Sequence, residues 1–245
     1  MTIIKIAFFI IFTFALALLY LPSLIILFPW HAFTGPLFLQ FYSKCSLVIF
    51  RVKIDQYDKI DLSDKSKGYI LISNHESFLD IFLLSALYKT VFLSKIEILY
   101  YPVLGQIGWI MGIVFVNRNS HNHRHKIVNE IAGKAQGRIL TVFPQGTTCT
   151  IDDPLPFKRG LFKTVEINNN IEIIPITISY KDYMDIAWGA EGMMDNLKKV
   201  CAKKQIHVKI TAHKHITIND YHDKSVAEIT TMAEERVLSP LRKGY

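Results

Sequence analysis

The first 28 residues constrain this chain more than any other segment. Ile6 to Phe28 is a run of 23 positions without a charged side chain. Wound as a helix at ~1.5 Å per residue, it is roughly 35 Å long. That is enough to cross a hydrocarbon core of ~30 Å. Pro22 lacks a backbone donor and is expected to kink this helix near its end. A second apolar run, Ala32 to Phe50, carries one charge, at Lys44. The pair predicts a helical hairpin in the membrane, or a spanning helix followed by one lying in the interface. Ala15-Leu16-Ala17 has the small residues of a signal-cleavage site, yet eleven more mostly apolar residues follow it. A signal's apolar region is normally shorter, so an uncleaved anchor is the expectation. Tyr20, Trp30 and Tyr42 suit either a membrane interface or a core. Lys5 on one side, and Lys44, Arg51 and Lys53 on the other or beyond, specify orientation poorly.

Half of the 245 residues are hydrophobic and a fifth are charged, which excludes a disordered chain. The net charge of +7 calls for an anionic partner. The basic residues form no block of five or six, so lipid is the better partner and no nucleic acid is expected. Cys45, Cys149 and Cys201 are odd in number and widely spaced. They fit neither a disulfide framework nor a zinc pattern, and suit a reducing compartment.

From Asp55 to Lys67 the composition turns polar and acidic. This divides the chain into an N-terminal anchor, residues 1–54, and a body, residues 55–245. In the body, Tyr69–Ile72, Val91–Ser94, Gly112–Asn117, Arg138–Phe143, Ile171–Ser179 and His207–Thr211 read as strands. Asp80–Leu87, His123–Ala135, Phe157–Glu166 and Ser225–Leu238 read as helices. The alternation predicts an α/β fold, with a mixed, mostly parallel sheet flanked by helices.

Directly after the first of these strands comes Asn74-His75-Glu76-Ser77-Phe78-Leu79-Asp80. Strand ends are where α/β folds place their chemistry. His75 and Asp80 are five apart, so in one continuous helix they point about 140° away from each other. A turn at His75 followed by a helix starting near Ser77 brings them together. Ser77 to Asp80 also fits a capping box, in which Asp80 merely stabilises a helix start.

Three further blocks follow in order. They are Gly112-Ile113-Val114-Phe115-Val116-Asn117-Arg118, Phe143-Pro144-Gln145-Gly146-Thr147-Thr148-Cys149 and Ile173-Ile174-Pro175-Ile176. With Asn74 to Asp80 they resemble the four ordered blocks of the glycerolipid acyltransferase family, whose best-known members are 1-acylglycerol-3-phosphate acyltransferases. Order, spacing and anchor position agree over most of residues 1 to 215. The family's first block, Asn-His-x-x-x-x-Asp, is matched in full. Three departures stand out: Asn117 replaces an aspartate, Gln145 a glutamate and Thr148 an arginine.

The resemblance implies a membrane-bound enzyme with its catalytic domain facing the cytoplasm, at the inner membrane if bacterial. Such an enzyme moves a fatty acyl group from acyl-CoA or acyl carrier protein to the free hydroxyl of a lysolipid. The first acceptor to expect is 1-acyl-sn-glycerol-3-phosphate, which gives phosphatidic acid. His75 is then the general base, near neutral in pKa, and Asp80 orients it as the acid of a Ser-His-Asp triad does. Asn74, Arg118, Gln145, Gly146, Thr147 and Lys158 are the expected substrate-binding residues. Gly146 lets backbone approach a ligand closely, and Arg118 offers a bidentate grip on an anionic head. Lys158 or Arg159 stands in for the missing arginine. Apart from the thioester co-substrate, no cofactor and no metal are called for. Gln145 and Thr148 make a less charged head, such as that of a lyso-ornithine lipid, a credible acceptor. They also leave open a non-enzymatic lipid-binding homologue. A thioester hydrolase ranks behind both.

Other signals weigh less. His121, His123 and His125 alternate with Asn and Arg without a carboxylate or cysteine to complete a metal site. Lys198, Lys199, Lys203 and Lys204 read as a solvated face.

Overall fold

The structure is a computed structural model that describes residues 2–27, 31–100, 105, 108–109, 113–116, 128–129, 131–133, 135 and 137–245. Two long apolar helices open it, α1 (Thr2–Leu27) and α2 (His31–Ile49). The helical backbone of α1 continues through Pro22. The two helices are antiparallel: Tyr20 stacks on Phe38 at 3.9 Å, and the Thr13 hydroxyl meets that of Tyr42 at 2.8 Å. Tyr20 and Tyr42 are buried core residues, and Trp30 lies outside the described residues.

Neither helix is detached from the body. Lys5 Nζ of α1 donates to the Lys203 carbonyl at 2.6 Å, and Phe9 packs against Tyr42, Phe50 and Phe82. Gln40 of α2 donates to the Ala86 carbonyl at 3.2 Å. On α1, Ile3, Ile4, Phe8, Ile11 and Leu18 recur at helical spacing and are exposed, as are Phe41 and Val48 on α2. The pair therefore has one face against protein and another that is apolar and bare.

Among the described residues, seven strands form the sheet: β1 (Val52–Tyr57), β2 (Gly68–Ser73), β3 (Val91–Lys95), β4 (Val114–Val116), β5 (Ile139–Val142), β6 (Ile171–Tyr180) and β7 (Ile206–Ala212). Their order is β1-β7-β6-β2-β5-β3-β4. All neighbours are parallel except β6 and β7, as the mixed, mostly parallel expectation requires. Central β2 is buried at every position, which is why Gly-Tyr-Ile-Leu-Ile-Ser reads as an unbroken apolar run. Side chains alternate across it. Leu71 joins one core with Leu83 of α3 (Leu79–Leu87) and Val200 of α4 (Met193–Ala202). Ile70 and Ile72 join the other with Val237 of α5 (Val226–Leu238). A capping box between Ser225 and Glu228 starts α5. Pro175 falls one residue before β6 begins pairing with β7, so its missing N–H breaks no bond of that ladder.

Several expectations are corrected. β1 is an additional edge strand, paired in parallel with β7. Phe157–Glu166 is not one helix: a 3-10 turn, Leu161–Lys163, leads into a short helix, Thr164–Ile167. The lysine-rich stretch is largely α4, with Leu197, Val200 and Cys201 buried. It keeps the solvated face expected of it, with Lys198 and Lys204 exposed, and three of its lysines are paired: Lys198 with Asp195, Lys199 with Glu191, and Lys203 with Asp182 and Asp185. Of the expected helix His123–Ala135, the described positions are helical. Gly112, Asn117, Arg118, His121, His123 and His125 lie outside the described residues.

Candidate active site

The first block occupies the turn from the end of β2 to the start of α3. His75 Nδ1 and Asp80 Oδ2 are 2.9 Å apart. An ideal helix cannot do this, and the backbone shows what replaces it. α3 begins only at Leu79, so residues 74 to 78 are free to turn. Asp80 Oδ2 also accepts the backbone N–H of Glu76 at 2.8 Å and of Ser77 at 2.9 Å. The reach back to Ser77 is one half of the expected capping box; the N-cap of α3 is Phe78, which makes no side-chain cap bond, so Asp80 closes the turn around His75 without a full box. Asp80 sits in the first turn of α3, where a negative charge is favoured by the helix dipole.

Asp80 is fully buried, and its other oxygen, Oδ1, accepts the Tyr180 hydroxyl at 2.6 Å. Burial and the adjacent Asp80 carboxylate push the Tyr180 pKa far up, so the phenol keeps its proton and donates it. A carboxylate only accepts, so Nδ1 is the donor to Asp80, and among the described residues no group is hydrogen-bonded to Nε2. The imidazole stacks on the Phe143 ring, with centroids 3.9 Å apart and planes 11° apart. Tyr180 does not emerge from the sequence reading, which ends that strand one residue early. Strand parity carries the missing signal: Tyr180 shares the face of Ile176 and Ile178, the face against which α3 packs.

The turn is clamped from distant segments. Gln145 is buried, and its Oε1 accepts the His75 backbone N–H at 3.0 Å. Cys149 N–H donates to the His75 carbonyl at 2.9 Å, and Trp188 N–H to the Glu76 carbonyl at 2.6 Å. Asn74 Nδ2 donates to the Ile178 carbonyl at 2.9 Å and to Glu76 Oε1 at 3.0 Å, and Asn74 Oδ1 accepts from Ile178 N–H. Asn74 and Gln145 thus position the turn, and both also line the cavity beside it.

Gly146 adopts φ +84°, which an L side chain rarely tolerates, and its N–H closes the turn onto the Phe143 carbonyl at 3.0 Å. Thr147 is exposed and Thr148 half-buried. Lys158 is exposed, and its backbone N–H donates to the Pro144 carbonyl at 3.0 Å. The structure therefore joins His75 to Asp80 and sets the Gln145–Thr147 turn beside them. Arg118, being outside the described residues, is not placed.

The arrangement pairs His75 with a buried carboxylate, and among the described residues no hydroxyl or thiol is hydrogen-bonded to the imidazole. Comparison with known proteins agrees with this chemistry. The chain is 31% identical over 154 residues to the 1-acyl-sn-glycerol-3-phosphate acyltransferase of Neisseria gonorrhoeae, covering 58% of each chain. It is 31% identical over 123 residues to the human 1-acyl-sn-glycerol-3-phosphate acyltransferase alpha, covering 48% of this chain and 43% of that one. A lyso-ornithine lipid O-acyltransferase of Rhizobium meliloti is 30% identical over 124 residues, covering 48% and 42%. The chain spans about half the length of the curated relatives it matches. In fold it resembles the crystal structure of the 1-acyl-sn-glycerophosphate acyltransferase of Thermotoga maritima, with a TM-score of 0.58, 16% identity, and 98% and 99% of the two chains covered. The acyltransferase family model matches residues 51–179, from β1 through the His75–Asp80 turn into β6. Because that match takes in just over half of the chain and carries the dyad with it, this chain belongs to the acyltransferase family.

Proposed function

We propose that this protein is a membrane-bound O-acyltransferase that moves a fatty acyl group from acyl-CoA or acyl carrier protein to the free hydroxyl of a lysolipid. The observation that carries the reading is the 2.9 Å contact between His75 and buried Asp80. His75 Nε2 takes the proton of the acceptor hydroxyl as its oxygen attacks the thioester carbonyl. Asp80 stabilises the imidazolium so formed. Collapse of the tetrahedral intermediate breaks the carbon–sulfur bond, and the departing thiolate takes the proton back from His75. Backbone donors of the Gly146–Thr147 turn are the groups proposed to stabilise the oxyanion. Arg118 and Lys158 are proposed to draw in an anionic head.

The bare apolar face of α1 and α2 supports membrane attachment, since exposed apolar area on this scale needs covering. The body is proposed to face the cytoplasm. 1-Acyl-sn-glycerol-3-phosphate is the acceptor in the names of several relatives. A lyso-ornithine lipid is the second reading, favoured by Thr148 and Gln145 at positions where the family carries charge, and by the Rhizobium relative's name.

Purified protein incubated with labelled acyl-CoA or acyl carrier protein and a lysolipid panel tests the reading. Labelled diacyl lipid that disappears in a folded His75→Ala variant is the expected result. Full transfer by His75→Ala would overturn the mechanism. Free labelled fatty acid without diacyl lipid would identify a hydrolase, and lipid binding without turnover a binding protein.

A further inference from the structure

Glu76 lies between the two catalytic residues, and the dyad does not use its side chain. It is 97% buried, with 3% of its surface exposed. Oε1 accepts from Asn74, and among the described residues no donor reaches Oε2. Glu76 lines a small open cavity with Gln145, Cys149 and Arg242. Among the described residues, Asp80, Asn74, Gln145, Cys149, Asp152, Tyr180, Tyr183 and Arg242 are polar or charged groups around it. Burial, and after it the Asp80 carboxylate, push its pKa up to about 8, against the pull of the Asn74 bond. A buried acid with an open oxygen and, among the described residues, no cation bonded to it suits a cation brought from outside.

Arg242 complements this. It is exposed, borders the same cavity, and among the described residues pairs with no carboxylate. The cavity thus has an acid in its depth and a fixed cation at its edge. A phosphate monoester head could pair with Arg242 but would leave Glu76 without a cationic partner and bring negative charge toward it and Asp80. A head carrying both charges fits the two ends.

We propose that Glu76 and Arg242 form the acceptor headgroup subsite and select a lysolipid whose head holds a primary ammonium group and an acidic group. The ammonium pairs with Glu76 Oε2 and the acidic group with Arg242. This rests on the acyltransferase reading above and decides between its two acceptors.

The test uses the full chain in detergent and three acceptors of equal acyl length: lyso-ornithine lipid, lysophosphatidylethanolamine and lysophosphatidic acid. The first two separate a carboxylate from a phosphate as the acidic group. The kcat/KM ratio of the ammonium acceptors over lysophosphatidic acid is expected to exceed one. It is expected to fall about tenfold or more in Glu76→Gln, mainly through KM. The amide keeps the Asn74 bond, so a merely structural Glu76 would lower all acceptors alike. Binding is measured separately by calorimetry in the His75→Ala background, in two buffers of different ionisation enthalpy. Near pH 7 an ammonium head should displace about one proton from Glu76, and none after Glu76→Gln. An unchanged ratio in Glu76→Gln, a preference for lysophosphatidic acid, or binding without proton release would overturn the subsite. Failure of the wild type to acylate any acceptor would overturn the acyltransferase reading instead, while the calorimetric arm still decides the subsite.

Discussion

Asp80→Asn isolates the electrostatic part of the dyad with little disturbance of its shape. The carbonyl oxygen of asparagine can take the Oδ2 position, where it keeps the Glu76 and Ser77 N–H bonds and the His75 Nδ1 proton. The amide then faces the Tyr180 oxygen, which accepts as well as donates. Fold and tautomer are preserved, and only the negative charge is gone. An imidazolium and a carboxylate at ~4 Å attract by ~4 kcal/mol at an effective dielectric of ~20. That charge pair exists in the transition state and not in the resting dyad, so its loss falls on kcat. At ~1.36 kcal/mol per decade this is a decrease of roughly 10³-fold. The assay is the initial rate of thiol release from acyl-CoA, with the lipid product identified by chromatography and thermal unfolding measured on the same protein. A folded Asp80→Asn enzyme within tenfold of wild type would refute the argument.

Tyr180→Phe removes one donor from a buried charged carboxylate, and is expected to cost about 1.5–3 kcal/mol of stability in urea titration. Glu76 gives a pH dependence of stability. Its folded pKa of about 8 lies above the ordinary 4.5, so its contribution is complete below pH 4.5 and is lost as pH rises to about 8. Glu76→Gln should flatten stability across that window, measured by denaturation at several pH values. Phe9→Ala removes a half-buried ring from the junction of α1 with Tyr42, Phe50 and Phe82, and should lower stability by about 2 kcal/mol in the same titration.

The parts of the fold that were legible in the sequence are those whose burial is complete. β2 shows itself because all six of its residues are inside. β1 does not, because an edge strand of Val-Lys-Ile-Asp-Gln-Tyr leaves its charged positions in water and resembles a linker. α4 is hidden by its lysines, although Leu197, Val200 and Cys201 follow helical spacing beneath them. The site divides in the same way. His75 and Asp80 are readable as residue types, and their approach depends on a turn whose shape is set elsewhere. Tyr180 acts on Asp80 from 100 positions away, and Gln145 on His75 from 70, distances that no local pattern encodes. Asn74 and Gln145, expected against a ligand, line the cavity and also bond to Ile178 and His75, a second role that no local pattern shows.

The clamping of the His75 turn by Gln145, Cys149, Ile178 and Trp188 has a bearing on how the protein folds and fails. The proposed general base has no local scaffold: its geometry exists only once β6 and the segments on either side of it have closed over the end of β2. Contacts of such high sequence separation form late and are slow to reach. They also break together, since releasing one clamp exposes the others. Activity in a denaturant titration should therefore fall along the same curve as the tertiary signal. A site able to fray alone would lose activity first, while the core still held.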